Sequence, residues 1–252
     1  MLRKQPWFDF CDALEIEVEQ STDEGRDAAH YAAQAGQVQA MDRGAERTAA
    51  GAALLEQMEA LPAAREAQEP SDLAGIRALA QGEACEKAAA DFEKIYGAWL
   101  GRCAGCLLGQ PVEGWRRARI NGLLEETGNL PLKGYISSDI PAAVREKYGV
   151  RDDQHAYGAE KTGWINNVSY MPEDDDTNYT LLALKLVEQY GRGFTPDDAA
   201  ENWLMNLPLL HTCTAERAAY INLAQSVYPP QSAVWRNPYR EWIGAQIRGD
   251  LF

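Results

Sequence analysis

The chain has 252 residues, 46% of them hydrophobic, and carries a formal net charge of −14. That length suits one large domain or two small ones with a real core, and the acidic balance excludes the basic footprint that nonspecific binding to nucleic acid or to an anionic membrane requires. No apolar run approaches a membrane span, and the start, Met1-Leu2-Arg3-Lys4-Gln5-Pro6, leads into acids rather than an apolar signal core, so a cytoplasmic protein is expected.

Residues 1–84 read as an Ala-rich helical extension, a hairpin or small bundle with a scaffolding role. Trp7, Phe10, Cys11, Leu14 and Val18 recur at helical spacing, followed by Tyr31, Val38, Met41 and Ala45, then Leu54, Met58 and Leu61. Pro62 and Pro70 flank an Ala/Glu-rich linker. Residues 85–252 form the second region. Its first helix runs from about 85 to 109 and carries Gly97, Gly101, Gly105 and Gly109 on one face. Each interior glycine costs about 0.8–1 kcal/mol relative to Ala, so close packing of another backbone against this face is expected, with a ligand approaching best near Gly109.

Residues 110–173 lack clear periodicity and predict functional loops with short helices. A helix over 176–190 has apolar residues nearly all round (Leu181, Leu182, Leu184, Leu186, Val187) and is expected to be central and buried. Thr195-Pro196-Asp197-Asp198 starts another helix, with Thr as cap and Pro at the first position. A further helix runs over about 214–227, and the closing stretch from Asn237 to Asp250 reads as helical. No strand alternation is visible, so the fold class is all-α.

Asp174-Asp175-Asp176-Thr177 stands immediately before the helix at 176–190. Three neighbouring carboxylates repel one another. A hard divalent cation relieves that repulsion, because Mg²⁺, Mn²⁺ and Ca²⁺ prefer oxygen donors, and the Thr177 hydroxyl adds a neutral one. The same residues suit a helix N-terminus, where Asp is favoured as cap and beside the positive end of the dipole. Glu113, in the Gly-flanked loop after Pro111, suits a general base or metal ligand, or an ordinary loop acid. Asn166 and Asn167 can hydrogen-bond a sugar or phosphate, or serve as turn residues.

The five cysteines, Cys11, Cys85, Cys103, Cys106 and Cys213, imply no disulfide framework. Cys103-Ala104-Gly105-Cys106 lacks the second ligand pair that structural zinc needs and is read as two small core residues. His30, His155 and His211 have no ligand spacing.

Two segments together resemble the ADP-ribosylglycohydrolase family, which includes dinitrogenase-reductase-activating glycohydrolase and the J1 crystallins. One is Gly101-Arg102-Cys103-Ala104-Gly105-Cys106-Leu107-Leu108-Gly109-Gln110-Pro111-Val112-Glu113, similar to the family's opening Gly-rich helix ending in an acid. The other is Asp174-Asp175-Asp176-Thr177, similar to its (Ser/Thr/Asn)-Asp-Asp-Thr motif at the start of a core helix. The closing Asn237-Pro238-Tyr239-Arg240-Glu241-Trp242 is also like larger bacterial members, and the resemblance covers roughly residues 92–252.

The resemblance implies an orthogonal multi-helix bundle with two Mg²⁺ or Mn²⁺ ions that cleaves glycosidic bonds of ADP-ribosylated proteins or small molecules. Asp175 and Asp176 would be metal ligands, with Asp174 a further one, standing where many members have Thr or Ser. Asp175 and Glu113 would be catalytic, Glu113 facing the ribose or a water held by the metals. Gly109 and the turn after it, with Asn166 and Asn167, would contact the ligand. The family's second metal motif, an Asp-x-Asp-Thr-like run, is not in these residues. The expectation is therefore an incomplete, truncated bundle that alone binds metal weakly.

Competing readings are a non-catalytic ADP-ribose-binding or structural relative, an acidic helical interaction protein, and an all-α Mg²⁺–diphosphate isoprenoid synthase. The last lacks the acid expected two residues past the leading pair and gives the Gly-rich helix no role.

Overall fold

The helical spacing near the N-terminus folds into three helices, α1 (Leu14–Asp23), α2 (Ala32–Ala40) and α3 (Ala45–Glu59). The computed structural model describes residues 7–65, 68–80, 89, 91–152 and 163–249. Among these there are eleven α-helices and no strand, so the all-α expectation holds. The chain divides into two compact units, one formed by Met1–Glu86 with Thr180–Phe252 and the other by Lys87–Tyr179.

In the first unit, α1, α2 and α3 pack around Cys11, Leu14, Val18, Ala35, Val38, Leu54, Leu55 and Met58. Gly51 on α3 permits the approach: a Cβ there would stand 2.6 Å from Cys11 Sγ. Arg47, 2% exposed, reaches Asp9 at 2.5 Å and Asp12 at 2.6 Å and donates to the Val38 carbonyl at 3.2 Å. A buried guanidinium is tolerable because its donors are met. The short α4 (Leu73–Leu79) follows, opened by the Asp72 carboxylate, which accepts from the Gly75 N–H.

The same unit holds α9 (Pro196–Asn206), α10 (Thr214–Ala224) and α11 (Gln231–Val234). Thr195 and Asp198 form a reciprocal capping box on α9, with Thr195 N–H donating to Asp198 Oδ2 at 2.7 Å. This start is the one the sequence predicts. The closing stretch differs from expectation. Among its described residues, which end at Gly249, it forms turns and the 3₁₀ segment Ile243–Ala245. Its apolar residues share no face, since Tyr239 is buried while Trp242 and Ile243 are exposed. Side chains fix the turns instead. Asn237 Nδ2 donates to the Ala215 and Ala233 carbonyls at 3.1 and 2.8 Å, and Arg248 pairs with Glu216 at 2.6 Å.

The second unit contains α5 (Phe92–Gly109), α6 (Arg117–Glu126) and α7 (Ala142–Tyr148). Leu123, Leu124, Ile136, Val144, Val150 and Trp164 make its core. Trp164 is fully buried and donates its indole N–H to the Arg151 carbonyl at 2.6 Å. The beginning of the helix expected from residue 85, and His155, lie outside the described residues.

The close packing expected at the glycine face of α5 is not found. Among the described residues no atom lies within 4 Å of a Cβ built at Gly97, Gly101, Gly105 or Gly109. The last helix to introduce, α8 (Asp175–Tyr190), also differs from its expectation. Tyr179 and Leu186 are buried, but Leu181 and Leu184 are 53% and 56% exposed, so the helix is buried along a stripe rather than all round.

Candidate metal centre

Arg102, Cys106 and Gln110 follow one another at four-residue steps along the end of α5 and into the 3₁₀ turn Gln110–Val112. That spacing puts them on one side of the helix. Facing them within the same unit is the start of α8, where Asp174, Asp175 and Asp176 are half-buried. Cys106 Sγ, one carboxylate oxygen of Asp174 and one of Asp176 all lie within 4.8 Å of one another.

Two hydrogen bonds tie the two segments into a site, and a third braces the start of α8 itself. Gln110 Nε2 donates to Asp174 Oδ2 at 3.1 Å. Arg102 Nη1 donates to the Asp176 carbonyl at 3.1 Å. Thr177, itself buried, donates its hydroxyl to the Asp174 carbonyl at 3.0 Å.

Gln110 is 5% exposed, and its Oε1 has no hydrogen-bond partner among the described residues. An unsatisfied buried acceptor costs about 1–3 kcal/mol. Gly163 makes room for this oxygen, since a Cβ there would stand 3.3 Å from it.

The helix-terminus reading of the Asp run is realised at the same time. The Asp174 carbonyl accepts the Asn178 N–H at 3.0 Å, the first rung of α8, and its Oδ1 accepts the Asp176 N–H at a long 3.4 Å. Capping explains why an acid stands at 174. It does not explain a thiol and a buried carboxamide converging on the same carboxylates. Burial, and then the Asp174 and Asp176 carboxylates, push the Cys106 thiol well above the usual cysteine range. A cation between these groups reverses that preference, because a coordinating thiol gives up its proton.

The other expected residues are placed as follows. Asp175 is not one of the three clustered donors; its Oδ1 accepts the Asp176 N–H at 3.0 Å. Glu113 is exposed at the end of the 3₁₀ turn, three residues beyond Gln110, and its N–H donates to the Gln110 carbonyl at 3.3 Å. Gly109 is the last residue of α5 and is exposed.

Asn166 and Asn167 hold the loop. Asn166 Oδ1 accepts the Ser138 N–H at 2.8 Å, while Asn167 accepts the Trp164 N–H at 3.1 Å and donates to the Asp152 carbonyl at 2.9 Å. Sequence reasoning missed Cys106 and Gln110. The available signal was their spacing with Glu113, at positions i, i+4 and i+7, which shares a face across the helix end.

The family model described as ADP-ribosylglycohydrolase matches residues 87–249, well over half of the chain. No curated protein and no solved structure matches it.

Proposed function

Because the chain belongs to the ADP-ribosylglycohydrolase family, we propose that it hydrolyses the glycosidic bond of ADP-ribosylated proteins or small molecules at the acidic mouth of α8. The observation that carries this reading is the convergence of Cys106, Asp174 and Asp176 inside the family-matched segment. The donor set suits a divalent cation, since two carboxylates and a thiol stand within 4.8 Å and the neighbouring Gln110 has an unsatisfied buried oxygen. Asp174 and Asp176 would hold it, with Asp175 adjoining, and on oxygen donors alone the ion would be Mg²⁺ or Mn²⁺. Bound there, it supplies Lewis-acid polarisation and neutralises the carboxylates.

The protein groups do the rest. Departure of the leaving group builds oxocarbenium-like positive charge on the ribose, and the Asp175 carboxylate stabilises it. Glu113, at the rim, takes the proton of the attacking water. Thr177 fixes the Asp174 carbonyl and so the start of the helix. Backbone N–H groups of the turn after Gly109 contact the diphosphate. Asn166 and Asn167 act at one remove, by shaping the loop wall that their bonds to Ser138 and Asp152 stabilise. We place the protein in the cytoplasm, where cysteines are kept as thiols; no described helix is long and apolar enough to cross a membrane.

The test is release of free ADP-ribose from an ADP-ribosylated protein, with divalent ions, with EDTA, and with Asp176→Asn. Release that needs the ion and is lost in the variant supports the reading. Binding of ADP-ribose without turnover points instead to a non-catalytic relative.

A further inference from the structure

We infer that Cys106 is a sulfur donor to the cation, making this a mixed thiolate–carboxylate centre that selects a borderline ion such as Zn²⁺ over Mg²⁺. The inference rests on the reading that the cluster holds a divalent cation, and adds which atoms choose it.

The first observation is geometric. Cys106 is the one residue of α5 that is buried, and its Sγ shares a 4.8 Å sphere with the Asp174 and Asp176 carboxylates. In the metal-free protein the Cys106 thiol hydrogen-bonds the two carboxylates, so its sulfur is already turned toward both acids. The second observation is independent. Gln110 is 5% exposed and is aimed into the cluster by its bond to Asp174, and the other end of the same amide has no partner among the described residues. Buried polar atoms without a partner in a folded protein commonly answer to a bound water or ion.

The donor types then decide the ion. Oxygen donors suit Mg²⁺, but thiolate is a soft ligand that favours Zn²⁺ and disfavours Mg²⁺. Three protein donors with a remaining open position is the ligand count of a catalytic zinc site. On binding, the Cys106 S–H bond breaks heterolytically: the electron pair stays on sulfur and is shared with the ion, and the proton leaves to solvent. No oxidant or reductant is involved. Two carboxylates and a thiolate leave the complex with one net negative charge. Arg102, bonded to the Asp176 carbonyl, places a positive group beside it.

Titration of the whole chain with Co²⁺, a spectroscopic substitute for Zn²⁺, tests this. The expected result is an ultraviolet sulfur-to-cobalt charge-transfer band that is present in the wild type and in Cys103→Ser and absent in Cys106→Ser. Zn²⁺ affinity should fall about 100-fold in Cys106→Ser, the upper end of what even an outer-sphere partner contributes, while Mg²⁺ affinity stays within threefold or so of wild type. The wild-type spectrum decides even if the variant folds poorly, and Zn²⁺ calorimetry in two buffers of different ionisation enthalpy should show proton release from the wild type. Co²⁺ binding without the band, or a band that survives Cys106→Ser, overturns sulfur ligation and leaves the cation reading standing. Failure of Zn²⁺, Co²⁺, Mn²⁺ and Mg²⁺ alike to bind overturns both.

Discussion

Arg240 clasps Glu17 across 223 residues of chain, with Nη1 2.8 Å from Oε2 and Nη2 3.0 Å from Oε1. The same guanidinium reaches Glu24 through Nε at 2.8 Å and Nη2 at 2.6 Å. Gln20, also on α1, donates to Glu241 at 3.0 Å. The N-terminal extension and the last segment of the family-matched region thus belong to one folded unit.

Arg240→Met leaves the buried Glu17 carboxylate without its counter-charge. Removing one partner of a buried pair costs about 3–5 kcal/mol, and urea unfolding followed by circular dichroism should show a loss near the lower end. A change below about 0.5 kcal/mol, the level of an exposed pair, would mean that the clasp carries no stability.

Glu24 supplies a pH signature. Burial works to raise its pKa, but Arg240 and the hydrogen bonds from Gln20, Arg26 and Arg240 outweigh burial and hold it below the ordinary value. A depressed carboxylate stabilises the fold above its unfolded pKa, about 4.3, and that contribution is lost as pH falls through the lower folded value. The stability difference between wild type and Glu24→Gln should therefore be constant from neutral pH to about pH 5 and shrink in more acid solution. A difference that grows on acidification contradicts the assignment.

Two glycines should respond to alanine with opposite signs. At Gly51 a Cβ would meet Cys11 Sγ at 2.6 Å, so Gly51→Ala overpacks the first unit and should cost about 1–3 kcal/mol. At Gly101 nothing lies within 4 Å among the described residues, so Gly101→Ala should stabilise α5 by up to about 1 kcal/mol. Thermal unfolding of the two variants reads both signs directly.

Gln110→Leu removes both the donor to Asp174 and the unsatisfied Oε1. Metal-free stability should change by less than about 1 kcal/mol, because an unpaired acceptor leaves along with a hydrogen bond. Divalent-ion affinity should fall about 10- to 100-fold, the usual effect of losing a partner that orients a ligand. Unchanged affinity would make Gln110 a packing residue only.

The sequence made the helices legible wherever a local signal was enough: the Thr195 cap with Pro196, the apolar spacing of Leu14 and Val18, and the Asp run at the mouth of α8. It failed where tertiary contacts overrule local pattern. The closing stretch has helix-compatible residues, yet Asn237 and Arg240 bond backbone and α1 groups that no local rule anticipates. Leu181 and Leu184 look like core residues by type, but their exposure depends on which face of α8 meets other elements. Within the candidate centre, the acids were legible because their crowding is anomalous in one dimension. Cys106 and Gln110 were not, because each is an ordinary residue until the start of α8, more than sixty positions downstream, is brought against it.

Isothermal titration of the wild-type chain and of the double variant Asp174→Asn, Asp176→Asn with Mn²⁺ bears most directly on the centre. The account predicts binding to the wild type that is reversed by EDTA and lost in the double variant. Binding that is equal in both proteins, or absent from the wild type, would contradict it.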